Sequence, residues 1–167
     1  MNPLTLHLAK QNFKFSAAHF LIFDENSAER LHGHNYQVKV DLVFASSRLM
    51  NEQGYLVDFN VFKRQIKARL DLWDERVLLP EQHQELKFTT VQNSTTQVSL
   101  EVRFRDRFYV FPKDEVILLP VTNTSTEQLS RLLSEDFFAS FKCLGVARVR
   151  VSVEETRGQG ASTVCGE

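Results

Sequence analysis

Leu31-His32-Gly33-His34-Asn35-Tyr36 opens the stretch that decides the fold. From Tyr36 onward the apolar residues fall on every second position, at Tyr36, Val38, Val40, Leu42 and Phe44, against polar Gln37, Lys39 and Asp41. A period of two predicts a half-buried strand, and His32 and His34 stand at its start. Two residues apart on a strand, their side chains leave one face and can converge on one ion, with Gly33 removing bulk between them.

Upstream, Leu4, Leu6 and Leu8 alternate with Thr5 and His7, and the alternation resumes at Phe13 and Phe15. This predicts one long strand ending at His19, beside the His32–Phe44 strand, so that a third imidazole joins the pair. Three histidines with an open fourth position describe a catalytic zinc site, although iron, nickel and cobalt accept the same ligands. His7 and His83 lack such a setting and are expected at the surface.

Downstream, Asp58 is placed to cap a helix whose apolar positions are Phe59, Phe62, Ile66 and Leu70. Val98, Leu100, Val102 and Phe104 alternate again, and Arg103-Phe104-Arg105-Asp106-Arg107-Phe108 reads as a hairpin turning at Arg105-Asp106. Thr124 with Glu127, or Ser125 with Gln128, fits a capping box before a second helix with Leu129, Leu132, Leu133 and Phe137 on one face. Val149, Val151 and Val153 form a last strand, on which Glu155 shares the valine parity. Alternating strands with short connections predict an antiparallel sheet with helices on one face. The class is α+β.

The 167 residues suit a single domain spanning 1–167. A net charge of -1 argues against a nucleic-acid partner. No apolar run approaches the roughly 20 residues that cross a bilayer, and the first residues do not read as a signal peptide. Cys143 and Cys165 are read as free thiols. The expectation is a cytoplasmic protein without a membrane partner.

Six segments, in order, carry a resemblance: Phe15–His19, Leu31–Tyr36, Val57–Phe59, Arg76–Pro80, Asn123–Leu129 and Val151–Thr156. Together they resemble the 6-pyruvoyl-tetrahydropterin synthases and the similar 6-carboxytetrahydropterin synthases of queuosine synthesis. The resemblance implies the tunnelling fold, with a four-stranded antiparallel sheet, two helices on one face and here an inserted β-hairpin in the added segment 81–120. It also implies a homo-oligomer, trimer or hexamer, with interfacial active sites, and Zn2+ held by His19, His32 and His34. Glu155 becomes the pterin anchor, since a carboxylate accepts two parallel hydrogen bonds from the ring; its plainer role is a surface residue at a strand end. Ser125 and Thr126 match hydroxyl residues lining the pterin pocket, a role compatible with capping.

Two departures bear on the chemistry. The family's base is a cysteine shortly before the paired histidines, yet Asn26 and Ala28 stand at its two usual places. Glu29 instead resembles the subgroup in which glutamate replaces cysteine and 7,8-dihydroneopterin triphosphate is cleaved to 6-hydroxymethyl-7,8-dihydropterin, a folate precursor. Its plainer role is a salt bridge beside Arg30. The family's Asp-His pair reads Asp74-Glu75 here, and Glu75 relays a proton only if its environment raises its pKa. Lys10, Lys14 and Arg30 are candidates for triphosphate contacts. Two functions follow: a zinc lyase of a dihydropterin triphosphate, with Glu29, Asp74 and Glu75 as catalytic residues, or a catalytically degenerate relative that binds a pterin or purine.

Overall fold

The alternation around Val38–Leu42 builds what it predicts. The computed structural model describes residues 3–46, 50–94 and 97–166, which fall into two compact units. The first comprises Met1–Phe15, Asn35–Leu72 and Thr126–Glu167, the second Ser16–His34 and Trp73–Ser125.

In the first unit, β1 (Leu4–Leu8) and β9 (Val146–Thr156) both run antiparallel to β3 (His32–Phe44), which belongs to this unit from Asn35 onward, and β10 (Gln159–Gly166) runs antiparallel to β9. Val38, Val40 and Leu42 lie opposite Val153, Val151 and Val149, and all six are fully buried. Removing such side chains from water contributes roughly 1.5–3 kcal/mol each. Helix α2 (Thr126–Phe141) packs on β9 and β10, burying Leu129, Leu132, Leu133 and Phe137 as its periodicity predicts. Helix α1 (Phe59–Asp71) meets α2 through Phe62 and Phe141, whose ring centroids are 5.0 Å apart, and through the Arg69–Asp136 ion pair. Asp58 caps α1 by accepting from the Asn60 amide at 2.8 Å.

In the second unit, β2 (Lys14–His19), β4 (Arg76–Pro80) and β8 (Val116–Leu119) form a parallel ladder, with Ala17 opposite Arg76 and Leu78 opposite Ile117. A separate antiparallel sheet contains β5 (Leu86–Gln92), β6 (Val98–Phe104) and β7 (Arg107–Pro112). Phe20, Ile22, Leu79, Leu86, Leu100, Val102, Phe104 and Val116 make this unit's core.

Several expectations need correction. The first strand is two: Phe13 N–H donates to the Lys10 carbonyl at 3.0 Å, closing a turn over Lys10-Gln11-Asn12 between β1 and β2. Polar turn formers there outweigh the resumed alternation. The four-stranded, wholly antiparallel sheet is too small, since among the described residues seven strands, β1–β4 and β8–β10, take part in its ladders. Arg76–Pro80 and Val116–Leu119 are short unalternated apolar runs, which is how buried parallel strands read. The hairpin turns at Arg105-Asp106, where Arg105 has φ 55°, but β5 adds a third strand. Phe104 and Phe111 pack inward, while Phe108 faces water with the Arg103 guanidinium 4.4 Å from its ring.

Candidate metal and catalytic site

His19 closes β2 and His32 opens β3, so the three histidines sit at neighbouring strand ends within the second unit. One ligand nitrogen from each of His19, His32 and His34 lies within 4.8 Å of the others. Gly33 turns to the opposite side, where an added Cβ meets the Ala17 carbonyl at an ordinary 3.5 Å. Glycine is therefore not needed to clear space between the imidazoles, contrary to the sequence expectation.

Main-chain carbonyls set the ring tautomers. His19 Nδ1 donates to the Thr124 carbonyl at 3.0 Å, and His32 Nδ1 donates to the Arg30 carbonyl at 2.8 Å. In each ring Nε2 then keeps its lone pair for a cation. His32 Nε2 and His34 Nε2 are 2.9 Å apart, near the roughly 3.3 Å that bonds of about 2.0–2.1 Å at tetrahedral angles require. Burial pushes the His19 pKa down to about 4, assisted by His32 and His34 and opposed by the Thr124 bond and Glu29. His19 is thus a neutral imidazole at neutral pH, the form that binds metal. The donor set fits a divalent ion of the zinc type, with nitrogen ligands and oriented rings.

The chain between His19 and His32 folds back on itself. Ile22 bridges Ala28, and Asp24 Oδ1 accepts from the amides of Asn26 and Ser27 at 2.7 and 2.8 Å. Glu29 N–H donates to the Leu21 carbonyl at 2.8 Å, and Leu21 N–H donates to Glu29 Oε2 at 3.0 Å. That same oxygen lies 3.8 Å from His32 Nε2. A carboxylate therefore stands beside the histidine cluster, while the Asn26 amide is held in the Asp24 turn and Ala28 packs against the unit's core.

Asp74 Oδ1 accepts from Ser16 N–H at 2.7 Å, and Glu75 N–H donates to the Ser16 carbonyl at 2.7 Å. This pair fastens the start of β4 to β2. Glu75 adopts φ 56°, a left-handed conformation uncommon for a residue with a Cβ. Ser125 closes the second unit, whereas Thr126 and Glu155 belong to the first. In that unit Thr126 begins α2, and Glu155 Oε1 accepts from Gln159 Nε2 at 2.8 Å. The β9–β10 register slips there, with Thr156 opposite Gln159 but Glu154 opposite Gly160, so Glu155 is the extra residue of a bulge. A Cβ on Gly160 would come within 2.2 Å of the Val153 carbonyl, so glycine permits this close approach.

Sequence reasoning missed three supports. Asn123 accepts from Ile22 N–H at 3.3 Å and donates to its carbonyl at 2.7 Å, imitating a strand partner. Thr124 donates its hydroxyl to the Phe20 carbonyl at 3.2 Å while its own carbonyl orients His19. Arg107 donates to the carbonyls of Glu29 and Ala28. Asn123 was visible only as part of the Asn123–Leu129 resemblance, Thr124 there and as a capping signal, and Arg107 only as a charge beside a turn.

Among the described residues no helix is long and apolar enough to cross a membrane. A putatively assigned 6-carboxy-5,6,7,8-tetrahydropterin synthase from Methanocaldococcus jannaschii is 27% identical over 161 residues, covering 95% of this chain and 93% of its own. The solved 6-pyruvoyl tetrahydropterin synthase of Plasmodium falciparum superposes with a TM-score of 0.85 at 25% identity, over 99% of both chains. That of Plasmodium vivax gives 0.86 at 24% identity over 100% of both. Two further structures of the P. vivax enzyme are catalytic residue mutants, in which a glutamate is replaced by alanine or by cysteine. The family profile of 6-pyruvoyl tetrahydropterin synthase matches residues 8–164, spanning β2, the histidine cluster and nearly all of β10, and the chain belongs to that family.

Proposed function

We propose that this protein is a zinc-dependent lyase that cleaves the side chain of 7,8-dihydroneopterin triphosphate, or a close relative, to 6-hydroxymethyl-7,8-dihydropterin. Family membership supports the coarser statement, a pterin-metabolising function like that of the tetrahydropterin synthases. The observation that carries the finer reading is the Glu29 carboxylate 3.8 Å from His32 Nε2, where no cysteine is available. The catalytic glutamate of the P. vivax enzyme lends this assignment support. The same reading includes a cytoplasmic trimer or hexamer with Glu155, Ser125 and Thr126 holding the pterin.

Zinc on His19, His32 and His34 would supply Lewis acidity at the substrate's side-chain hydroxyls. Glu29 acts as general base, taking the proton of the hydroxyl adjoining the scissile carbon-carbon bond. As that bond breaks, the oxygen-bearing carbon leaves as an aldehyde and the bonding electrons pass to the pterin ring. The protonated Glu29 returns its proton to the carbon that stays on the ring, so the carboxylate is regenerated. His19 and His32 contribute orientation through the Thr124 and Arg30 carbonyls. Asp74, hydrogen-bonded to Ser16, fixes β2, the strand that ends in His19, and Asp74 with Glu75 is the candidate for a proton relay.

The test incubates zinc-loaded protein with 7,8-dihydroneopterin triphosphate and identifies each pterin product by mass. The expected product is the 6-hydroxymethyl compound. A pyruvoyl or carboxy product would overturn side-chain cleavage, and bound but unconverted substrate would favour the degenerate binding protein. Glu29→Ala should lower turnover by roughly 10²–10⁴-fold with zinc stoichiometry unchanged.

A further inference from the structure

We infer that Arg107, from the three-stranded sheet, is a positioning residue that holds Glu29 against the histidine cluster. The inference rests on the reading of Glu29 as the base. Arg107 begins β7 and lies opposite Phe104 in the β6–β7 ladder, on the face that packs into the second unit's core. Its guanidinium sits 5.7 Å from the Phe104 ring, and Phe104 is fully buried. From this support one Nη donates to the Glu29 carbonyl and the other to the Ala28 carbonyl at 3.2 Å. A planar fork on two consecutive carbonyls fixes both the place and the tilt of the backbone, which a single ammonium cannot do.

Glu29 is thereby held at three points. Its carbonyl is fixed by Arg107, its amide by the Leu21 carbonyl, and its carboxylate by the Leu21 amide. Arg105, across the same turn, braces the other end of the loop: Nη2 donates to the Asp24 carbonyl at 2.5 Å while Glu85 binds the guanidinium through both oxygens. The sheet formed by β5, β6 and β7 thus acts as a wall, and its two arginines grip the chain between His19 and His32 by main-chain atoms. The hydrogen bonds of both arginines go to main-chain carbonyls and to Glu85, so the wall acts on the loop that carries the carboxylate.

Full-length Arg107→Met and Arg107→Lys proteins, loaded with zinc, should be compared with wild type by amide hydrogen exchange, zinc stoichiometry and steady-state kinetics. In Arg107→Met the Leu21 and Glu29 amides should exchange at least about tenfold faster. kcat should fall by about 10–100-fold with KM nearly unchanged, the size expected when a reacting group is displaced by about an ångström. Arg107→Lys, which keeps one donor, should be intermediate in both, and this milder variant keeps the test decisive if the first does not fold. Unchanged exchange at Leu21 and Glu29 would overturn the inference, as would loosened amides with undiminished kcat. Zinc loss in step with kcat would also overturn it, because Arg107 would then serve the metal site. A wild-type protein that converts no pterin would instead remove the base role of Glu29, while the exchange data still decide whether Arg107 holds the loop.

Discussion

Val151 and Arg107 hold their surroundings in opposite ways. Val151 is one of a row of buried valines repeated across β3 and β9, and each neighbour does much the same work. Arg107 is a single polar side chain gripping the main-chain carbonyls of Ala28 and Glu29. The first unit is thus stabilised by repetition, the second partly by individual hydrogen bonds accepted by Asp24 and Asp74 and donated by Asn123, Arg105 and Arg107. Repeated apolar contact spreads the damage of any one substitution across a whole sheet. A single polar tie concentrates it on the loop it holds.

The contrast can be broken most severely at Leu133, fully buried on α2. Leu133→Ala should cost about 2–5 kcal/mol of global stability, read by urea unfolding, while zinc affinity of the folded protein stays at the wild-type value. Weakened zinc binding in folded Leu133→Ala would mean that the units do not keep separate accounts. Next in size is acid. His19, lowered from 6.5 to about 4 in the fold, binds fewer protons folded than unfolded between those values. Its contribution is fully present above about pH 6.5 and lost as pH falls toward 4, on the order of 3 kcal/mol at most. In zinc-free protein, unfolding at pH 7.5 and 5 should therefore differ more for wild type than for His19→Gln. Equal differences would place the acid sensitivity elsewhere. The smallest effect sharpens the contrast: Asn123→Ala should cost only about 1 kcal/mol globally yet speed exchange of the Ile22 amide well above that of Val40. Uniform acceleration across both would show that Asn123 is part of general packing.

These differences also explain what could be read from the chain alone. Period-two and helical spacing located β3, β6, β9 and both helices, because one face of each is apolar. They missed β10, whose small and polar Gln159–Gly166 leaves little hydrophobic signal, and they hid β4 and β8, whose short apolar runs carry no alternation. The histidine cluster was legible because His32 and His34 share a strand face and His19 ends the strand beside them. Glu29 was legible only through resemblance, since nothing local distinguishes it from Glu25. The bond that Asp74 accepts from Ser16 was not legible, because which group a carboxylate accepts from depends on the partner strand, and Ser16 lies far back in the chain. Asn123 and Arg107 were hidden for a general reason: a side chain bonded to main chain imposes almost no pattern on the sequence of its partner.

The bond from His19 to the Thr124 carbonyl has a consequence for the order in which a ribosome makes this protein. All three imidazoles, on β2 and the start of β3, leave the ribosome before Thr124, which follows only after the entire three-stranded wall has been synthesised. Until then a nascent chain carries the histidine trio without the carbonyl that fixes the tautomer of its buried member. The ligands come first in biosynthesis, and the carbonyl that orients His19 follows only after the wall.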